Sequence, residues 1–189
     1  HETLPEYLDL RSNKLNHLRK AEMTMTIEAR LQRLEADRAI RDLKARYLRA
    51  CDGKDPDMVR DCLKPDARIR YDGFPPFDNR DDFVAVYRQF GCAPGIFDIH
   101  HAANGVIAFE STERARGQWA LTFHNINLAA RIITQFGIEY DDIYLREGGR
   151  WWIAETASRR KSVLVQTVDA DGNTRTVALG ESDAAFGEG

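Results

Sequence analysis

Apolar residues in the first third of the chain recur at steps of mostly three and four: Ile27, Leu31, Leu34, Ile40, Leu43 and Tyr47. That period places them on one face of a long helix, with Thr24 or Thr26 as N-cap and an end near Cys51. "DGKDP" at 52–56 interrupts the pattern with Gly, Asp and Pro, and "DPDMVRDCL" then reads as a second, short helix with Pro56 in its first turn. "DARIRYDG" at 66–73 alternates polar and apolar positions as a first strand should. "DNRDDFVAVYRQF" at 78–90 predicts a third amphipathic helix, capped by Asp78 or Asn79.

Downstream the period falls to two. "HHAANGVIAFE", "RARGQWALTFHNINLAAR", "IITQFGIEYDDIYLRE" and "RWWIAETASRRKSVLV" read as long strands separated by "STE", by a break near 130 and by "EGG". Sequential strands joined by short turns make an antiparallel meander. "VDADGNTRTV" at 168–177 predicts a further hairpin around Asp171-Gly172, and the tail "GESDAAFGEG" reads as disordered. Helices first and strands afterwards predict an α+β fold: a cone-shaped α+β barrel whose strongly bent, mainly antiparallel sheet wraps around the N-terminal helices. The open end of such a cone is a natural ligand site. Residues 26–165 form the barrel domain in this reading and 166–189 a C-terminal hairpin and tail. Residues 1–25 are an N-terminal extension for which a cloning origin is one reading.

Composition narrows the function classes. The 189 residues, 43% of them hydrophobic, suffice for one domain with a sizeable core. A formal net charge of -3 supplies no basic field for a phosphate backbone, so no nucleic acid partner is expected. The longest basic run, "RRK" at 159–161, reads as solvated charge, with binding of an anionic substrate group as the alternative. Cys51, Cys62 and Cys92 are odd in number and lack C-x-x-C spacing, which argues against a disulfide framework or a thiolate zinc site and suits a cytoplasmic location. No segment approaches eighteen apolar residues, and the first twenty lack an apolar h-region, so neither membrane association nor a secretory signal is expected.

Candidate chemistry centres on three of the five histidines. His100 and His101 are adjacent at the start of one strand, and His124 lies in the next. Strand alternation sends the adjacent pair to opposite faces, so only one of them enters the cone. That spacing disfavours a metal centre, and no H-x-E or H-E-x-x-H motif is present, so no metal is expected. A catalytic base or ordinary surface and core histidines remain. Tyr47 is either core or site, and Asp52 either a turn residue or site. In "DGFPPFDNRDDF", Phe74 and Phe77 flank Pro75-Pro76 and read as a stiff apolar flap at the cone's mouth or as a packed connection. Trp119, Phe123, Phe136, Trp151 and Trp152 are core candidates, some of which line the cavity.

"LEADRAIRDLKARYLRACDGKD", "PDARIRYDG" and "HHAANGVIAFE" followed by "GQWALTFHNIN" resemble the SnoaL-like branch of the nuclear transport factor two-like superfamily, over roughly residues 27–160. The likeness is more specific for fold than for reaction, because the superfamily holds dehydratases, dehydrochlorinases, polyketide cyclases, isomerases and non-catalytic subunits. Within it the nearest functional likeness is to the scytalone and bile acid dehydratases. These imply a Tyr and, five residues later, an Asp at the end of the first helix, facing a strand His that acts as base. Tyr47, Asp52 and His100 occupy those positions; His124 matches a second strand position and Tyr71 a pocket tyrosine. Phe74, Phe77, Trp119, Phe123 and Phe136 complete the expected substrate contacts.

Loss of water from a β-hydroxy carbonyl compound needs a base for the α-proton, a donor for the enolate oxygen and an acid for the departing hydroxide. The resemblance therefore implies a cofactor-independent, dehydratase-like lyase acting on a small hydrophobic cyclic, polyketide-, steroid- or aromatic-derived substrate. The resemblance also implies a homo-oligomer, dimer or trimer. Two alternatives stay open: an isomerase or aldol-type cyclase in the same pocket, and a non-catalytic assembly module such as a ring-hydroxylating dioxygenase small subunit.

Overall fold

A computed structural model describes residues 25–180. Among the described residues two units separate, 25–38 and 39–180. Helix α1 runs Ile27–Asp52. At its start the Thr26 hydroxyl accepts from the Ala29 N–H at 3.2 Å, which makes Thr26 the N-cap; Thr24 lies outside the described residues. Ile27, Leu31 and Leu34 of the expected apolar stripe are exposed, whereas Ile40, Leu43 and Tyr47 are buried.

In the second unit α2 (Pro56–Cys62) begins with Pro56 and is capped by Asp55, whose carboxylate accepts from the Met58 N–H at 2.9 Å. Strand β1 follows directly, Leu63–Tyr71, three residues earlier than the alternation suggested. Asn79 caps α3 (Arg80–Val86) by accepting from the Asp82 N–H. The third helix then widens into a single π-helical turn, Tyr87–Gly91, closed by the Cys92 N–H on the Tyr87 carbonyl at 3.1 Å.

The strands are β2 (Ile96–Phe109), β3 (Arg114–Asn127), β4 (Ile132–Glu147), β5 (Arg150–Val168) and β6 (Thr174–Gly180). Their order is β1-β5-β4-β3-β2, with β6 on β5. β2 to β6 pair antiparallel, as the meander predicts, and β1 pairs parallel with β5. The fold is α+β, a strongly curved and mainly antiparallel sheet around helices. Residue 165 lies inside β5, so the C-terminal hairpin continues the main sheet. Its tail, 181–189, lies outside the described residues.

Irregularities in the ladders bend the sheet. Register shifts fall between Ala103 and Val106, between Gly137 and Ile138 and between Ile143 and Tyr144, and each bulge adds local twist. At the first of them Gly105 is obligatory, because a Cβ there would lie 2.3 Å from the Trp119 ring. The "EGG" turn uses Gly148 and Gly149 at φ 59° and 82°, the two left-handed residues that a tight hairpin needs. Within the curve Leu43, Leu48, Val59, Leu63, Ile69, Tyr144 and Ile153 are buried. Side chains of α1 reach three strands of the concave face: Lys44 pairs with Asp142 on β4, Tyr47 with Tyr71 on β1 and Asp52 with His100 on β2.

Candidate active site

Period-two alternation gives each central strand one inward face, and the inward residues toward one end line a cavity of about 320 Å³. β2 contributes Ile96, Asp98 and His100, β3 Phe123, Asn125 and Asn127, β4 Phe136, Ile138 and Tyr140, and β5 Ser158 and Arg160. Tyr47 and Cys51 enter from the last turns of α1, and Phe83, Val86, Tyr87 and Phe90 from α3 and the π turn. Tyr71, Asp72 and Phe74 complete the wall.

A His–Asp pair stands at this wall. Asp52, the last residue of α1, places Oδ1 2.6 Å from His100 Nδ1, and its Oδ2 accepts the His100 backbone N–H at 3.2 Å. The carboxylate therefore holds the imidazole as the Nδ1–H tautomer, which leaves the Nε2 lone pair available as a base. The imidazole also lies 4.7 Å, centroid to centroid, from the Phe123 ring.

A chain of hydroxyls lies beside it. Tyr47 and Tyr71 share a hydrogen bond of 2.8 Å, and Tyr71 is 3.3 Å from Thr156 Oγ1. Burial raises the Tyr47 and Tyr71 phenols above their ordinary range, with nearby acidic groups adding to the shift. Both are neutral donors at physiological pH. Burial also pushes the Cys51 thiol up to about 12, so it remains protonated and unreactive. The Tyr87 hydroxyl is spent on the Cys51 carbonyl, 2.8 Å away. Across the cavity Arg160 is buried, its guanidinium 5.1 Å from the Phe136 ring centroid and its backbone N–H donating to Asp72 at 2.9 Å.

A family model described as the SnoaL-like domain matches residues 32–157. The chain belongs to the SnoaL-like family. Several solved structures share its fold. A hexachlorocyclohexane dehydrochlorinase, LinA type 2, is 17% identical at a TM-score of 0.64, over 78% of this chain and 93% of that one. A scytalone dehydratase-like protein from Novosphingobium aromaticivorans is 18% identical at 0.65, over 82% and 97%. ActVI-ORFA from Streptomyces coelicolor is 12% identical at 0.58, over 67% and 97%. At these identities the likeness is one of fold.

Within this SnoaL-like cone, Tyr47, Asp52, His100, Tyr71, Phe123 and Phe136 come together at or against the cavity. Four expected contacts do not all follow. His124 pairs across the ladders with Ile99 and Gln135 on the face opposite Phe123 and Asn125, so it lies outside the cavity. Asn125 takes the inward place expected for His124. Trp119 points inward but lies deeper, buried with its Nε1–H on the Tyr144 hydroxyl at 3.1 Å. Phe77 is 7% exposed and packs edge-on against Phe83, whereas Phe74, 58% exposed, stands at the rim. The Phe-Pro-Pro-Phe segment thus divides between a packed connection and a cavity edge.

His101 is exposed and pairs with Thr122, on the face opposite His100. Among the described residues no three His, Cys, Asp or Glu side chains converge as a metal-ligating group, and no helix is long and apolar enough to cross a membrane. Arg160 departs from the charge-run reading. Arg159 and Lys161 face outward toward Glu139, and Arg160 alone of the three turns in.

Proposed function

We propose that this cavity is the active site of a cofactor-independent lyase of the dehydratase type, acting on a small hydrophobic cyclic substrate that bears a β-hydroxy carbonyl group. The 2.6 Å contact between His100 Nδ1 and Asp52 Oδ1 at the cavity wall carries the reading. His100 Nε2 takes the α-proton, the neutral phenol of Tyr47, backed by Tyr71, donates to the enolate oxygen, and the electron pair of the Cα–H bond becomes the new double bond as hydroxide leaves. The imidazolium returns that proton to the departing hydroxide, releasing water and restoring the base. With His124 outside the cavity, one imidazole performs both transfers, which favours loss of proton and hydroxide from the same face. Asp52 stabilises the imidazolium between the two steps. The aromatic and aliphatic side chains among the lining residues suit a fused-ring or polyketide skeleton.

A second reading shares every residue. If the substrate lacks a leaving group, the same His100 and Tyr47 move a proton from one carbon to another, and the protein is an isomerase or cyclase. A single imidazole at the wall serves that transfer as well as it serves dehydration.

The test is conversion of cyclic β-hydroxy ketones and thioesters in deuterated water, followed by mass spectrometry. Loss of water marks a lyase, and deuterium uptake without loss of water marks an isomerase. His100→Ala and Asp52→Asn each lower kcat by about a hundredfold or more, with the double variant little worse than either single. Additive losses, or an active His100→Ala protein, would overturn the dyad.

A further inference from the structure

Helix α1 stops in a way its residues do not favour. The Asp55 N–H donates to the Ala50 carbonyl at 3.0 Å and the Lys54 N–H to the Cys51 carbonyl at 3.4 Å, the paired bonds that close a helix over a left-handed residue. Glycine suits that position because it has no Cβ. Here Gly53 falls one residue early, and Lys54 adopts the left-handed conformation at φ 55°. A non-glycine residue persists there where its surroundings hold it.

What holds Lys54 is Asp98. The ammonium is ion-paired with the Asp98 carboxylate, and the two side chains are 24% and 10% exposed. The second oxygen of Asp98 accepts from Asn125 Nδ2 at 2.6 Å, and Asn125 is its cross-strand neighbour on β3. Lys54 lies two residues beyond Asp52 and Asp98 two residues before His100. The ion pair therefore joins the same two elements as the His100–Asp52 contact, one step away on each. β2 is the edge strand of the sheet, with no further strand to steady it among the described residues.

We propose that Lys54 and Asp98, seated by Asn125, form a positioning clamp that sets the separation of Asp52 and His100; the proposal rests on the dyad reading above. None of the three exchanges a proton with substrate. Without the clamp, the end of a helix and an edge strand meet at this point through the two bonds from Asp52 alone, and a small relative motion opens the dyad. The strain at Lys54 is the local cost of placing an ammonium where a glycine would leave none.

The test uses the full chain and the variants Lys54→Gly, Lys54→Met, Lys54→Arg and Asp98→Asn. The first readout needs no substrate: the His100 Nδ1–H proton resonance in histidine-labelled protein, with Asp52→Asn as the assignment control, and the rate at which that proton exchanges with water. Lys54→Gly, Lys54→Met and Asp98→Asn are expected to speed exchange about tenfold or to broaden the resonance away, and Lys54→Arg to preserve it. Lys54→Gly is expected to melt above Lys54→Met, because glycine relieves the left-handed strain, while both lose the same protection. A merely structural role would make the loss follow the melting temperature. On a converted substrate, Lys54→Gly and Lys54→Met should lower kcat about tenfold with KM unchanged, the signature of misplacement rather than of weaker binding, since Lys54 does not line the cavity.

Wild-type exchange in Lys54→Gly or Asp98→Asn, or losses that track melting temperature, would overturn the clamp. Lost protection in these variants, in a protein that converts no substrate, would uphold the clamp and defeat the lyase reading. A wild-type resonance that survives Asp52→Asn would defeat both.

Discussion

Asp142→Asn is expected to be among the most destabilising single substitutions in the protein, although it changes one atom. Lys44 and Asp142 are 1% and 0% exposed, and their charged atoms are 2.8 Å apart. The same Asp142 oxygen accepts the Tyr144 hydroxyl at 2.7 Å, which in turn accepts from Trp119. The Lys44 ammonium otherwise faces the Tyr140 ring, 3.8 Å from its centroid. Removing the carboxylate charge leaves a buried ammonium against an aromatic face, and breaking a buried pair in this way costs about 3–5 kcal/mol. At roughly 2–4 °C per kcal/mol for a domain of this size, the melting temperature should fall by about 6–20 °C. Lys44→Met combined with Asp142→Asn should recover most of that loss, because the amide oxygen introduced at position 142 still accepts from Tyr144 and no charge is left stranded.

The pH dependence provides a second check. Burial lowers the pKa of Lys44 from its ordinary 10.5, against the attraction of Asp142, which raises it. A base whose folded pKa lies below its unfolded value is protonated in the unfolded chain where the folded protein has shed the proton. Its contribution to stability therefore rises with pH through the folded pKa and levels off near 10.5. Without Asp142 the depression deepens, so the deficit of Asp142→Asn relative to wild type should shrink as pH rises from 7 toward 10. Raised phenol pKa values at Tyr47, Tyr140 and Tyr144 act in the opposite direction above pH 10. Besides burial, Asp142 itself helps to raise the Tyr140 and Tyr144 phenols, so differential scanning calorimetry of the two proteins side by side is read below pH 10, before that contribution sets in. A deficit under about 1 kcal/mol, or one that does not change with pH, would refute the burial argument.

Tyr47→Phe removes the donor proposed for the enolate oxygen and should lower kcat by about 10²–10³, against a loss of about 1 kcal/mol in stability from the Tyr71 bond; steady-state kinetics and thermal melts separate the two. Asn125→Leu should impair turnover and His124→Ala should leave it within about twofold, since only the former side chain faces the cavity; parallel kinetics decide this, and the reverse order would move the site to the other face of β3. Dialysis against a chelator should leave activity unchanged, because the proposed proton transfers use side chains alone; elemental analysis together with the residual rate reads the outcome.

The helices and the meander were legible because each rests on local spacing, a 3.6 period and a period of two, whereas the expectation that His100 faces Asp52 came from the resemblance to the SnoaL-like family and not from spacing. The failure at His124 also had a local remedy. Phe123 and His124 are neighbours on one strand, so alternation allows only one of them into the cone, by the same rule that separates His100 from His101. Stepping by two from Phe123 reaches Asn125, and stepping back by two from His100 reaches Asp98. Arg160 follows Ser158 by two on the inward face, but stepping back by two from the buried Val163 reaches Lys161 instead. Ile138 pairs with Arg160 and Gly137 with Ser162, so Lys161 is an extra residue in the β5 ladder. A bulge of that kind sits in the pairing between strands rather than in either strand's own pattern.

Depth inside the cone is a further property that alternation cannot supply. On β4, Phe136, Ile138 and Tyr140 face the cavity, while Asp142 and Tyr144 continue the same inward face into solid packing. On β3 the division falls between Leu121, which is buried, and Phe123, which lines the wall. α1 sets both boundaries, because Ile40, Leu43 and Lys44 fill the space beneath and Tyr47 and Cys51 border the space above. Trp119 has the right parity for a substrate contact and falls on the filled side. Where the cavity floor lies therefore depends on how far along its axis α1 docks, and the Lys44–Asp142 pair fixes that position. An ion pair serving as a registration point explains why a buried charge that adds little net stability would be kept. On this argument Lys44→Met with Asp142→Asn, though stable, should alter turnover by letting Tyr47 and Asp52 slide relative to β1 and β2.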